Sequence, residues 1–381
     1  WMTWSGRHVV ASRPTLAATS GGNRGKAASR SQSTSRVATG DGGGGLGRRR
    51  IMKVFITRNI PDVGPEKLRG TGWHVDQWAS DDVIPRATLL ERVAGCDAVL
   101  SLLTEKVDAE FLNAAGPNLK VVANLAVGFD NFDVPAMTAR QVIGTNTPEV
   151  LTDTTADLAF SLLMATARML PQAQKYVHDG KWTTWGPLLF RGQDIHHATL
   201  GLIGMGRIGA AMARRGAGFE MKVVYYDAYR REDLEAQYGY EYRGSVEEVL
   251  READFVSLHT PYMPSTHHLI NAERLAMMKS TAILINSARG PIVDPTALYN
   301  ALHAGTIWAA GLDVTSPEPI PLDDPLLTLD NCLIVPHIAS ASMHTRDAMS
   351  ALAADNIINV LRGMAPKTPV NRDAVAARGL A

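Results

Sequence analysis

Three residues late in the chain have the types and placement for carbonyl reduction: Arg289, Glu318 and His337. Reducing a carbonyl that neighbours a carboxylate needs a fixed cation to bind the carboxylate and polarise the C=O. Arginine's rigid, permanently charged fork suits this. It also needs a proton donor for the nascent alkoxide, and an imidazole working near neutral pH supplies one. Finally, something must orient that imidazole and keep it protonated, as a neighbouring carboxylate does. Arg289, His337 and Glu318 fit these roles in turn. Singly, each has a plainer use: a helix-capping arginine, a satisfied buried histidine, a surface glutamate. Arg289 and His337, however, follow apolar runs that read as strands, and parallel sheets place ligands at strand C-terminal ends.

The reductant has its own signature upstream, Gly204-Met205-Gly206-Arg207-Ile208-Gly209. A GxGxxG match alone is weak, but here a strand-like run precedes it and a helix-like run follows. An acid, Asp227, ends the next strand about 20 residues on, as a dinucleotide fingerprint requires. Gly204 permits the tight turn, Gly206 lets a pyrophosphate approach the backbone, and Gly209 lets the helix pack closely. The helix N-terminus offers free N–H groups to the phosphates. Asp227 can accept hydrogen bonds from ribose hydroxyls and would repel a 2′-phosphate, which favours NAD over NADP. Arg230 and Arg231 leave an alternative open, since they could serve a 2′-phosphate or be solvated helix residues.

These groups need elements to hold them. Apolar runs at 52–57, 98–103 and 121–125 alternate with helical stretches at 87–93 and 108–115, which predicts a parallel α/β sheet. A helical segment covers 152–177, with Pro171 expected to kink it. Strands are predicted at 199–203, 222–226, 255–258, 282–286, 309–312 and 332–335, and a last long helix at 345–361. The tail after Arg372 is expected to fray.

The chain has 381 residues with 38 basic and 38 acidic side chains. Its length suggests two or more domains. The charge balance gives no reason to expect nucleic acid or a membrane surface as partner, and no apolar run approaches the ~18 residues of a membrane span. Cys96 and Cys332 read as reduced thiols in a cytoplasmic protein. His196-His197 and His267-His268 lack the acids or cysteines to complete a metal site, and none is expected. Residues 1–51 are rich in Gly, Ser and Arg with Asp41 as their one acid. Three readings compete: translated upstream sequence, an organelle transit peptide, or a basic arm.

The sequence resembles the D-2-hydroxyacid dehydrogenase family, and within it the glycerate dehydrogenases and glyoxylate/hydroxypyruvate reductases. The resemblance spans roughly residues 52–371. It rests on Val127-Gly128-Phe129-Asp130-Asn131-Phe132-Asp133, the dinucleotide turn, Arg289 with its flanks, Gly311-Leu312-Asp313-Val314 with Glu318, and Pro336-His337, all in the family's order.

It implies two Rossmann-like domains flanking a cleft: a flavodoxin-like substrate domain (52–150 and 337–371) and an NAD-binding doubly wound domain (151–336). It further implies that Leu102, the backbone N–H groups of Val127 and Gly128, and Arg289 meet the substrate, and that Glu318 pairs with His337. Thr155, Thr260, Pro261, Ala288, Asp313 and Ala339 would join residues 204–209 and Asp227 around the cofactor. Residues 152–197 resemble a dimerisation arm, implying a homodimer in which Trp182 or Trp185 reaches the partner's site. The implied reaction is reduction of glyoxylate or hydroxypyruvate to the D-2-hydroxy acid. Alternatives are D-lactate, 2-ketogluconate or phosphite as substrate, or a corepressor-like scaffold that binds NAD(H) without turnover; formate is disfavoured.

Overall fold

The computed structural model describes residues 50–380. The readings of the N-terminal segment fall outside the described residues, apart from its last two positions. Two parallel sheets organise the chain. The first has strands β1 (Lys53–Ile56), β2 (His74–Gln77), β3 (Ala98–Ser101), β4 (Val121–Asn124) and β5 (Ile143–Thr145) in the order β2-β1-β3-β4-β5. The second has β6 (Thr199–Ile203), β7 (Lys222–Tyr226), β8 (Glu241–Tyr242), β9 (Phe255–Leu258), β10 (Ile283–Asn286), β11 (Ala309–Leu312) and β12 (Cys332–Ile334). Their order is β12-β11-β10-β9-β6-β7-β8. The first order is flavodoxin-like and the second is doubly wound. In each, the strand order reverses at one point, where such folds open a crevice: between β1 and β3, and between β6 and β9.

Both faces of each sheet are covered, which is why the central strands are unbroken apolar runs. In β1, Val54 and Ile56 pack on one side with Met349, Ala353 and Ile357, and Phe55 packs on the other with Phe111 and Leu89. Residues buried this fully contribute about 2–3 kcal/mol each relative to exposure.

Two helices cross between the lobes. Thr152–Ala167 leaves the first sheet and buries Ala159 and Leu163 against the second. Met343–Leu361 leaves the second and covers the first. They meet near their starts, with the Thr154 and Thr345 hydroxyls 2.7 Å apart.

Two expectations are corrected. The long helical segment breaks at Met169, a left-handed residue with φ 51°, rather than at Pro171. Pro171 instead lies in the first turn of a second helix, Leu170–His178, where its missing N–H costs nothing. The tail does not fray at Arg372: residues Arg372–Ala377 form a helix with Ala374 and Val375 buried against the first lobe. Cys96 and Cys332 are free thiols. Among the described residues, no helix is long and apolar enough to cross a membrane.

Candidate active site

A cleft of about 590 Å³ collects residues from both sheets, including Val127, Gly128 and Asp130 from the loop after β4 and Arg289 from the loop after β10. His259, Thr260, Ser287, His337 and Ala339 also line it.

Arg289 is delivered by a turn that Asn286 shapes. The Asn286 side chain accepts from Ala288 N–H at 3.0 Å and donates to Arg289 C=O at 2.9 Å. The guanidinium is then fixed on two sides. Nε donates to Asp130 Oδ1 at 3.1 Å, and Nη1 donates to Ala288 C=O at 2.8 Å. Its passage across the loop after β4 requires a glycine, because a Cβ on Gly128 would lie 1.6 Å from Nη2. In the same loop, Asn146 and Asn124 donate to the carbonyls of Val127 and Gly128. The N–H groups of Val127 and Gly128 donate to nothing among the described residues.

His337 follows β12 in a left-handed conformation, φ 51°. Asp313 holds this turn. Its C=O accepts from His337 N–H at 2.9 Å, and its buried carboxylate accepts from Ile338 N–H at 2.6 Å and Ala339 N–H at 3.0 Å. Burial pushes the Asp313 carboxyl above the usual carboxylate range; the two N–H groups and the His337 charge oppose it. Glu318 Oε1 sits 2.6 Å from His337 Nδ1. That leaves Nε2 without a hydrogen bond among the described residues, on a side chain that lines the cleft.

The glycine turn lies at the C-terminal end of β6. Gly204 has φ +99°, and a side chain there would strike the His259–Thr260 backbone after β9. A Cβ on Gly209 would lie 2.1 Å from Gly204 C=O, so helix and turn are in contact, whereas one on Gly206 would meet nothing within 4 Å. Asp227, just after β7, accepts from Met205 N–H at 2.6 Å and Tyr229 N–H at 2.9 Å. Arg207 pairs with Glu149. Arg230 is engaged by Glu235 and stacks over Tyr242. Arg231 pairs with Asp233 and donates to Met205 C=O.

Thr155, Ile208, Thr260, Pro261, Ala288 and Ala339 all line the cleft. Thr155 Oγ1 and Ser287 Oγ are buried on its wall with no partner among the described residues. Unpaired polar atoms beside an open glycine cradle fit a dinucleotide rich in acceptors and donors.

Sequence reasoning singled out Leu102, but Leu103 is the leucine of that loop that lines the cleft. The Leu102 side chain packs toward the first lobe's core, and its N–H donates to the buried Glu105 carboxylate at 2.6 Å. Asp130, Glu105, His259 and Arg346 were not singled out. Asp130 stood inside the Val127–Asp133 motif, but nothing in its spacing marked a role.

Residues 160–339 match the family model for the D-isomer specific 2-hydroxyacid dehydrogenase, NAD binding domain. A glyoxylate reductase from Korarchaeum cryptofilum is 50% identical over 327 residues, covering 86% of this chain and 98% of the relative. The chain belongs to the D-isomer specific 2-hydroxyacid dehydrogenase family. A crystal structure of a Thermus thermophilus protein superposes with TM-score 0.79 at 44% identity, covering 84% of this chain and all of that one. An NADPH-dependent glyoxylate/hydroxypyruvate reductase from Sinorhizobium meliloti, in complex with NADP and malonate, gives 0.72 at 34%, covering 85% and 98%. The protein is thus an oxidoreductase acting on CH–OH groups and taking NAD(H).

Proposed function

We propose that this dehydrogenase reduces glyoxylate and hydroxypyruvate with NADH to glycolate and D-glycerate, and catalyses the reverse. One observation carries the reading. The Arg289 fork, two unpaired backbone N–H groups and a free imidazole Nε2 converge on one cleft. The relatives named glyoxylate reductase support the substrate. The hydride comes from bound NADH. The N–H groups of Val127 and Gly128 receive the substrate carboxylate, and the N–H bonds of Arg289 not used by Asp130 and Ala288 share it and polarise the keto oxygen. His337 Nε2 gives its proton to the alkoxide oxygen, while Glu318 holds Nδ1–H and so fixes the tautomer. Leu103, in the loop fixed by Glu105, bounds a small substrate.

In this reading the lobe of residues 52–150 and 337–371 holds the substrate, and residues 151–336 hold the dinucleotide. The Asp227 carboxylate selects NADH. Arg230 and Arg231, both engaged by acids, are poorly placed to welcome a 2′-phosphate. Residues 152–197 form the arm of a homodimer. The helix Leu170–His178 buries none of its residues, and Trp182, Trp185 and Leu188 are 62%, 79% and 76% exposed, an apolar surface that a second copy would cover.

The test is loss of reduced-nicotinamide absorbance with glyoxylate, hydroxypyruvate and pyruvate, with NADH and NADPH in parallel and His337→Asn as the blank. Turnover of the first two with NADH, abolished in the variant, is expected. Turnover confined to NADPH would overturn the Asp227 reading, and none with any keto acid would overturn the function. Sedimentation equilibrium at the mass of one chain would refute the dimer.

A further inference from the structure

Five charged or imidazole side chains line the cleft: Asp130, His259, Arg289, His337 and Arg346. Four have partners. Asp130 and Arg289 hold each other, Glu318 holds His337, and Ser257 Oγ lies 2.9 Å from His259 Nε2. Arg346 is the exception. Its guanidinium makes no hydrogen bond or ion pair with any described residue, and its Nε is buried with no partner. A half-buried arginine in this condition is costly, because desolvation is not offset by a local acceptor. Burial indeed draws it below the ordinary arginine range, with the Asp313 charge opposing. Groups left unsatisfied on a cleft wall commonly find their partner in a ligand.

Its surroundings narrow what that ligand offers. Arg346 lies in the first turn of the helix Met343–Leu361, next to Thr345, whose hydroxyl touches Thr154. The adjoining helix start therefore carries Thr155, a residue 4% exposed whose Oγ1 also lacks a partner among the described residues and whose side chain lines the same cleft. A guanidinium offers donors only, and a hydroxyl beside it offers another. The complementary group is an oxyanion.

We propose that Arg346 is a second anion-binding arginine of the cleft, taking an oxyanion of a bound ligand. The oxyanion is the diphosphate of the dinucleotide or the carboxylate of the keto acid. The inference rests on the cleft reading above but has a separate test. Wild-type turnover of glyoxylate tests that reading, and ligand titration onto variants tests this one.

The variants are Arg346→Met, which keeps the bulk of the stem, and Arg346→Lys, which keeps the charge without the fork. NADH and ADP-ribose are titrated onto the enzyme alone, and oxalate onto the enzyme–NADH complex, with thermal melts as the folding check. If the oxyanion is the diphosphate, NADH and ADP-ribose both bind about 10- to 100-fold more weakly to Arg346→Met. If it is the carboxylate, oxalate binding and the glyoxylate KM worsen by that factor while NADH binding holds. Arg346→Lys falls between, and it carries the comparison alone if Arg346→Met does not fold. All affinities staying within about threefold of wild type, in a variant that melts normally, would overturn the proposal.

Discussion

Substituting Gly128 by alanine should disable turnover while leaving the protein folded and able to bind NADH. The new Cβ would lie 1.6 Å from Arg289 Nη2, 2.8 Å from its Cζ and 3.0 Å from Asp130 Oδ1. Ordinary contact begins near 3.4 Å, so the guanidinium must retreat by nearly 2 Å. It is the far end of a flexible side chain and can do so cheaply. Gly128 is not in the left-handed region, so alanine suits its backbone, and the loss of chain freedom is mildly stabilising, by up to about 1 kcal/mol. The cost therefore falls on geometry. A misplacement of ~1 Å at a reacting centre costs about 100-fold. A larger shift of the group that polarises the carbonyl should lower kcat/KM by about 10²- to 10³-fold, or about 3–4 kcal/mol. The assay is steady-state glyoxylate reduction beside NADH titration and a thermal melt. A variant that keeps kcat/KM within about threefold of wild type would refute the role given to Arg289.

Three further outcomes are expected. Glu318→Gln should cut kcat by about 100-fold or more with NADH affinity unchanged, because a neutral amide no longer fixes which imidazole nitrogen carries the proton; a loss below about threefold would count against it. Asp313→Asn offers one acceptor where two N–H groups are held, so it should cost about 1–3 kcal/mol in denaturant unfolding and lower kcat; unchanged values in both would show that the turn at His337 is held by other contacts. Burial lowers the His259 pKa to about 4, against 6.5 in the unfolded chain. A depressed folded pKa means that this contribution is complete above pH 6.5 and lost as pH falls toward 4, at a cost of about 2–3 kcal/mol. His259→Gln should therefore lose less stability than wild type between pH 7 and 4.5, and equal losses would remove His259 as the cause.

Much of this was legible in the residue order because the relevant physics is local. The central strands read as apolar runs because both their faces are covered, and Gly204-Met205-Gly206 announced its turn because φ +99° is hostile to other residues. Two of the edge strands were invisible for the complementary reason: β2, His74-Val75-Asp76-Gln77, is polar and half-buried, and β8 is two residues long. The break at Met169 lacked a glycine or proline at the residue that turns. In the site, the loops were identifiable but the facing of their side chains was not. Leu103 rather than Leu102 reaches the cleft because Glu105 draws the Leu102 N–H toward a buried carboxylate, a contact set by folding. Arg346 left no trace at all, since the lack of a partner is a property of three-dimensional surroundings.

The two crossing helices also bear on how the chain is made. Strands β1 to β5 have all been synthesised by Thr145, but Val54, Ile56, Leu100 and Ala123 pack on a face whose cover is Met349, Ala353, Ile357 and Ala374. The ribosome emits that cover only after every strand of the second sheet. Ser350 seals the join, accepting from Gly64 N–H at 3.1 Å and donating to Pro61 C=O at 2.7 Å. During translation the first-made sheet must therefore wait with much of one apolar face bare, a state in which exposed apolar surface is prone to aggregate. The lobe that begins the chain is the last to be finished, and a truncation removing the final helices would deprive the earliest strands of their core.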